Sequence, residues 1–217
     1  MDAKQFGSSR PSAELRLHEF ERRLKRESEL QFQYHNFMKE YEDLGHMEPV
    51  NSQEGRHPCY VLTHHAVLKE TSTTTRTRVV FDGSAKNSSG LSLNDIHLVG
   101  PTVQQDLYSI VLRFRTQQVC FTADIAKMYM QINVHPQDGE LQWILWRYCS
   151  DESIQEYNLT TVTYGTSSAP YVATRCLRKL ADDNKCQNTR AALMLSNDFY
   201  VDELLSGTAT IENAIKV

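Results

Sequence analysis

Three carboxylates stand out because each is set among apolar residues: Asp124 at the end of VCFTAD, and the adjacent Asp202 and Glu203 within NDFYVDELLSG. A carboxylate withdrawn from water is costly unless it is paired or holds a metal ion. Two such positions, far apart in sequence, point to a shared divalent-cation site built from hard oxygen ligands. A plainer reading stands beside it, since aspartates also end strands by forming turns. His57, Cys59, His64 and His65 also cluster, but their intervals match no standard zinc pattern, and a strand followed by a loop accounts for them. The five cysteines, Cys59, Cys120, Cys149, Cys176 and Cys186, are an odd set without a C-x-x-C pair. Neither a disulfide framework nor a cysteine-rich zinc site is expected, and the thiols are expected to be reduced and mostly packed.

The elements that must position these acids can be read from periodicity. From Pro11 and Ser12 to Leu44 the chain is rich in good helix formers, and one or two helices fit. Leu30, Tyr34, Phe37, Met38 and Tyr41 recur at intervals of three and four, with Gly45 placed where a helix ends. The run ERRLKRE (21–27) mixes both signs and reads as a solvated helix face. CYVLTHHAV and TRTRVVF, separated by KETSTTT and closed by Asp82-Gly83, read as a hairpin. A helix is expected over 102–115, then a buried strand in VCFTAD. LQWILWRY (141–148) and YNLTTVTY (157–164) look like strands, and 169–183 like a helix with Pro170 in its first turn. NDFYVDELLSG (197–207) reads as a hairpin with the acids at or beside its tip. The expected class is α+β.

With 217 residues, 40% of them hydrophobic and 23% charged, the chain can bury a good core and divide into two lobes. No apolar run approaches the roughly 20 residues that span a bilayer, and MDAKQFGSSR lacks the apolar stretch of a secretory signal. A soluble, intracellular protein is expected. The net charge of −4 carries no global basic signal, so any nucleic-acid surface must be local.

Longer stretches are specific. FTADIAKMYMQI (121–132) resembles the first palm motif of reverse transcriptases, an Asp followed five positions later by an aromatic, here Asp124 and Tyr129. FYVDELLSG (199–207) resembles their Tyr-x-Asp-Asp hairpin, in the form found in the Bel/Pao class of LTR retrotransposons. TYGTSSAP (163–170) is similar to the family's glycine-containing loop under the incoming nucleotide. YHNFMKEYEDLGHMEPV (34–50), RVVFDGSAKNSSGLSLND (78–95) and LVGPTVQQDLYSIVLRFR (98–115) are similar to the same group, so the match runs in order over nearly the whole chain.

The resemblance implies a right-hand polymerase fold with fingers and palm and without the thumb. It divides the chain into an N-terminal helical extension (1–25), fingers and entry to the palm (26–115), and palm (116–217). The implied activity is RNA-directed and DNA-directed DNA polymerisation, with two Mg²⁺ ions, or Mn²⁺, clamping the primer 3′-hydroxyl and the leaving pyrophosphate. Asp124 and Asp202 would hold both ions, the backbone carbonyl of Ile125 would complete the nucleotide-side metal, and Glu203 would add a nearby carboxylate. Tyr129 would be the steric gate that selects a deoxynucleoside triphosphate. Arg78, and Lys69 less closely, match the basic fingers contacts to the triphosphate, while Tyr164 and Gly165 would lie near the nucleotide. A strand arginine is otherwise a surface charge, Tyr129 a core aromatic, and Gly165 a turn residue. Asp82 reads as structural, and Lys127 as a solvated lysine.

The implied partners are an RNA or DNA template with primer, a dNTP, and the thumb, ribonuclease H and integrase regions of a polyprotein, acting in the cytoplasm within an element particle, with no membrane. The family usually has Asp where this chain has Glu203. One added methylene moves the carboxylate by roughly an ångström, a displacement that can cost about 10²-fold in rate. Glu203 is then either a tolerated second acid or the mark of a truncated or decayed, non-catalytic copy with weak nucleic-acid binding.

Overall fold

The computed structural model describes residues 7–50, 59–68 and 77–216. The chain is mixed α+β and divides into two compact units: the described residues up to Leu98 together with Asn133–Ser167, and Val99–Ile132 together with the described residues from Ser168 onward. The units are interleaved in sequence, so the stretch 26–115 contributes to both.

The first unit is a five-stranded mixed sheet covered by two helices. Its strands are β1 (Met47–Pro49), β2 (Val61–Leu68), β3 (Thr77–Asp82), β5 (Trp143–Trp146) and β6 (Gln155–Leu159), in the order β1-β6-β5-β2-β3. Only β5 and β2 run parallel, through Val61↔Trp143 and Leu62↔Ile144; the hairpin expected before Asp82 is present as β2 and β3, paired from Thr63↔Asp82 to Leu68↔Thr77. All four residues of β5 are buried, as befits a central strand with both faces covered. Removing Trp143 or Trp146 would cost roughly 3–5 kcal/mol by the usual large-to-small measure.

The helices are α1 (Arg10–Leu24) and α2 (Ser28–Asp43). Leu30, Tyr34, Met38 and Tyr41 are buried as their spacing predicts, Phe37 is half-buried and stacks on Tyr41, and Gly45 leaves the helix at φ +72°. Within ERRLKRE, Leu24 is buried and Glu21 is not simply solvated. Arg147 donates to it from Nε at 2.6 Å and from Nη2 at 2.8 Å, which ties α1 to the chain just after β5.

His64 is a core histidine rather than a zinc ligand. The Leu145 carbonyl can only accept, so Nε2 of His64 donates to it at 2.8 Å and Nδ1 accepts from the Tyr34 hydroxyl. Burial brings its pKa down to about 4, although the Leu145 bond opposes this. His57 lies outside the described residues.

The second unit carries a three-stranded antiparallel sheet in the order β4-β8-β7, with β4 at Val119–Asp124, β7 at Phe199–Tyr200 and β8 at Glu203–Thr208. It also holds α4 (Leu107–Arg115), α6 (Ala169–Asn184), α7 (Thr189–Asn197) and a short α8 (Ile211–Ile215). The helix expected over 102–115 starts only after Asp106, whose carboxylate accepts from the Ser109 N–H at 2.9 Å. A side chain that caps a helix stops it from extending backwards. Residues 101–106, Gln104 among them, are therefore loop. The helix expected from Ala169 is present with Pro170 in its first turn; β1 and α7 were not foreseen. Two minor helices, α3 (Leu93–Ile96) and α5 (Pro136–Gly139), lie in the first unit.

The strand VCFTAD is not buried. It is an edge strand, and Cys120, Thr122, Ala123 and Asp124 are exposed. An apolar run is a poor guide to burial at a sheet edge, where one side of the strand has no neighbour. All five cysteines are likewise exposed rather than packed. No helix among the described residues is long and apolar enough to cross a membrane.

Candidate active site

Asp124 and Glu203 are brought opposite each other because β4 and β8 pair. In that register Asp124 lies opposite Glu203, and one step further the Ile125 N–H donates to the Asp202 carbonyl at 3.0 Å. Asp202 occupies the turn between β7 and β8, and Glu203 opens β8, so the acids sit at the hairpin tip as expected. Two like charges directly opposite each other on one sheet face repel unless a cation lies between them. The burial expected of these acids is not found. Asp124 and Glu203 are exposed and Asp202 is half-buried, so solvation alone does not demand a metal there.

Two backbone outliers flank these acids. Lys127 (φ +52°) and Val201 (φ +58°) are the only non-glycine residues with positive φ among the described residues. Lys127 turns the chain from β4 into a 3₁₀ turn (Met128–Gln131), where Met128 is buried. That turn places Tyr129 in the electrostatic reach of Asp202: burial, and then the Asp202 charge, push its phenol pKa up. Val201 is β-branched, and a left-handed φ at such a residue is a genuine outlier held by its surroundings. Its N–H donates to Gln104 Oε1 at 3.0 Å.

The base of the hairpin is braced separately. Asp198 accepts from Ser206 Oγ at 2.7 Å and is paired with Arg113 of α4 at 3.4 Å, while its backbone carbonyl accepts from the Leu205 N–H at 2.9 Å. Neither Gln104 nor Asp198 was singled out from sequence. The presence of Asp198 next to the hairpin was visible, but its partner Arg113 comes from a distant helix.

The remaining candidates belong to the first unit. Arg78 is exposed on β3 and acts on Tyr164: burial pushes the Tyr164 phenol well up, Tyr41 adds to this, and the Arg78 charge opposes it. Tyr164 also lies against Phe81, with ring centroids 5.5 Å apart. Gly165 has φ +97°, and a Cβ there would stand 2.0 Å from the Phe81 carbonyl oxygen, so the fold itself requires glycine.

Asn94 closes this cluster. It donates to the Gly165 carbonyl at 3.1 Å and accepts from the Ser167 N–H at 2.7 Å, joining the DGSAKNSSGLSLND stretch to the TYGTSSAP loop. Asp82 accepts from the Ser84 N–H at 2.9 Å, the turn role expected of it. Lys69 lies outside the described residues. Asp124, Ile125, Tyr129, Asp202 and Glu203 thus share one unit, and Arg78, Tyr164 and Gly165 share the other.

Among the described residues, no group of three or more His, Cys, Asp or Glu side chains is arranged to hold a metal ion. Asp124 and Glu203 are opposed in the strand ladder, and Asp202 precedes Glu203 in the β7–β8 turn. Neither a scan against protein-family models nor a search of curated proteins finds a match to the chain.

Proposed function

We propose that the chain is the fingers and palm of a reverse transcriptase of the Bel/Pao class, with the right-hand polymerase fold, and that the second unit carries its nucleotidyl-transfer centre. One observation supports this most: Asp124, Ile125, Asp202 and Glu203, separated widely in sequence, become neighbours in one strand register. In this reading Asp124 and Asp202, with the Ile125 carbonyl, would hold Mg²⁺ or Mn²⁺. When bound, the ions would neutralise charge on the transferring phosphoryl group and lower the pKa of the attacking hydroxyl.

The chain's own residues do the rest. Tyr129, whose phenol pKa is pushed up by burial and then by the Asp202 charge, would lie against the sugar in this reading. A ribonucleotide's extra hydroxyl would meet that ring, which selects deoxynucleotides. Arg78 supplies a fork of donors for triphosphate oxygens, with Lys69 as a second cation, and Tyr164 and Gly165 form the surface beneath the nucleotide. The primer and template, the dNTP, and thumb, ribonuclease H and integrase regions are the partners of this reading, within an intracellular element particle.

A second reading rests on Glu203. The longer side chain faces Asp124 directly in the ladder, where the added methylene shifts the carboxylate relative to an aspartate. A non-catalytic remnant with weak nucleic-acid binding would follow. Primer extension on a poly(A) template with Mg²⁺ or Mn²⁺ separates the two. The chain, a version extended through a thumb, and each with Glu203→Asp are compared, with Asp124→Asn as control. Extension abolished by Asp124→Asn supports the polymerase reading. Activity seen only with Glu203→Asp means a decayed centre, and silence in every version favours the remnant.

A further inference from the structure

We infer that Gln104 is a positioning residue: its side-chain oxygen fixes the left-handed turn at Val201 and thereby sets where Asp202 and Glu203 stand opposite Ile125 and Asp124. The role in cation binding rests on the proposed reading of those acids; the role in the turn does not.

A β-branched residue does not hold a positive φ by its own preference. Val201 does so at φ +58°, in the two-residue connection between Tyr200 and Glu203, which are themselves ladder partners. Its N–H is taken up by Gln104 Oε1 at 3.0 Å, a bond that spans most of a hundred residues of sequence and is partly buried. An N–H in such a place needs an acceptor.

The loop that offers this acceptor is itself held in place. At one end Gly100, at φ +83°, lies so close to the Tyr171 ring that a Cβ would stand 2.4 Å from it, so the loop packs tightly against α6. At the other end Asp106 caps α4. Between them Gly100, Gln104, Tyr171 and Val201 line one small cavity of about 130 Å³. The turn is therefore seated on a fixed loop, with Gln104 as its polar anchor. Rotation at Val201 moves the peptide that leads into Asp202, whose carbonyl accepts from Ile125, so an error at the anchor reaches the acids directly.

The test uses the ¹⁵N-labelled 217-residue chain and two readouts: the HN–Hα coupling of Val201, which reports φ, and broadening of amide signals at Asp124 and Glu203 by Mn²⁺. Gln104→Leu and Gln104→Asn, which is one methylene too short to reach, should both change the Val201 coupling. Both should weaken Mn²⁺ binding about tenfold. Gln104→Glu, which keeps an acceptor oxygen at the same length, should retain both properties. Val201→Gly combined with Gln104→Leu should recover Mn²⁺ affinity, because glycine takes the left-handed conformation freely.

Unchanged coupling in Gln104→Leu and Gln104→Asn overturns the proposal. So does equal loss in Gln104→Glu. If Mn²⁺ broadens no signal near the wild-type hairpin, the cation reading fails separately. The coupling then decides: altered in Gln104→Asn and retained in Gln104→Glu, it still establishes Gln104 as the anchor of the turn.

Discussion

Asp124 and Glu203 face each other across β4 and β8, one at the end of its strand and the other at the start. Without a cation, two carboxylates so placed repel. Glu203→Gln and Asp124→Asn should therefore each raise the stability of the metal-free protein by about 0.2–1 kcal/mol. The gain should shrink in 1 M salt, because both groups are exposed and screening is strong there. Urea unfolding at low and high salt measures this, and a loss of stability at low salt would show that the pair is held by something other than repulsion.

The buried His64 sets an acid limit. Its folded pKa of about 4 lies below the ordinary 6.5, so the unfolded chain binds the proton that the folded protein refuses. Stability should be full above about pH 6.5 and fall as pH drops towards 4, by about 3 kcal/mol from this residue. His35 and His97, both lowered by burial, add slope in the same direction. Urea midpoints between pH 7 and pH 4.5 should show a flatter dependence in His64→Gln than in the wild type, and an unchanged slope would remove His64 as its source.

Gly165 and Gly45 make a matched pair. Both have positive φ, but a Cβ at Gly45 meets nothing within 4 Å whereas one at Gly165 meets a backbone oxygen. Gly45→Ala should cost about 1 kcal/mol from conformation alone. Gly165→Ala adds a clash that only backbone movement relieves, and should cost roughly 3 kcal/mol or more. Thermal and urea unfolding of the two variants give the comparison directly; equal losses would mean the Phe81 carbonyl yields easily.

The Glu21–Arg147 bridge is bidentate and its side chains are only 14% and 13% exposed. Arg147→Lys keeps the charge and loses the fork, so it should cost about 1 kcal/mol. The Arg147 hydrogen bond holds the Glu21 carboxyl below its usual value of 4.5, with burial opposing and His18 assisting. That contribution is present above pH 4.5 and lost as the pH falls through the lowered pKa. The difference between wild type and Arg147→Lys should thus narrow in acid, which unfolding at pH 7 and pH 3.5 would detect.

Much of the local structure was legible because its signals are local. The stripe Leu30, Tyr34, Met38, Tyr41 with Gly45 marks α2, Asp82-Gly83 marks the turn after β3, and FYVDELLSG marks the β7–β8 hairpin. Signals that depend on a distant neighbour were misread. VCFTAD looks buried as a string but is an edge strand, whereas the late start of α4 within 102–115 has a local cause, the Asp106 cap on Ser109.

The sequence by itself determined which residue types were present for chemistry, the α+β class, and the order of motifs that resembles a reverse transcriptase palm. Side-chain periodicity and turn chemistry act over a few residues, so they are written along the chain. Only the tertiary structure decided that Asp124 stands opposite Glu203, that Tyr129 lies within reach of Asp202, and that Gln104 holds the Val201 turn. Strand register and long-range hydrogen bonds depend on which surfaces meet when the chain closes on itself, and no window of sequence contains both partners.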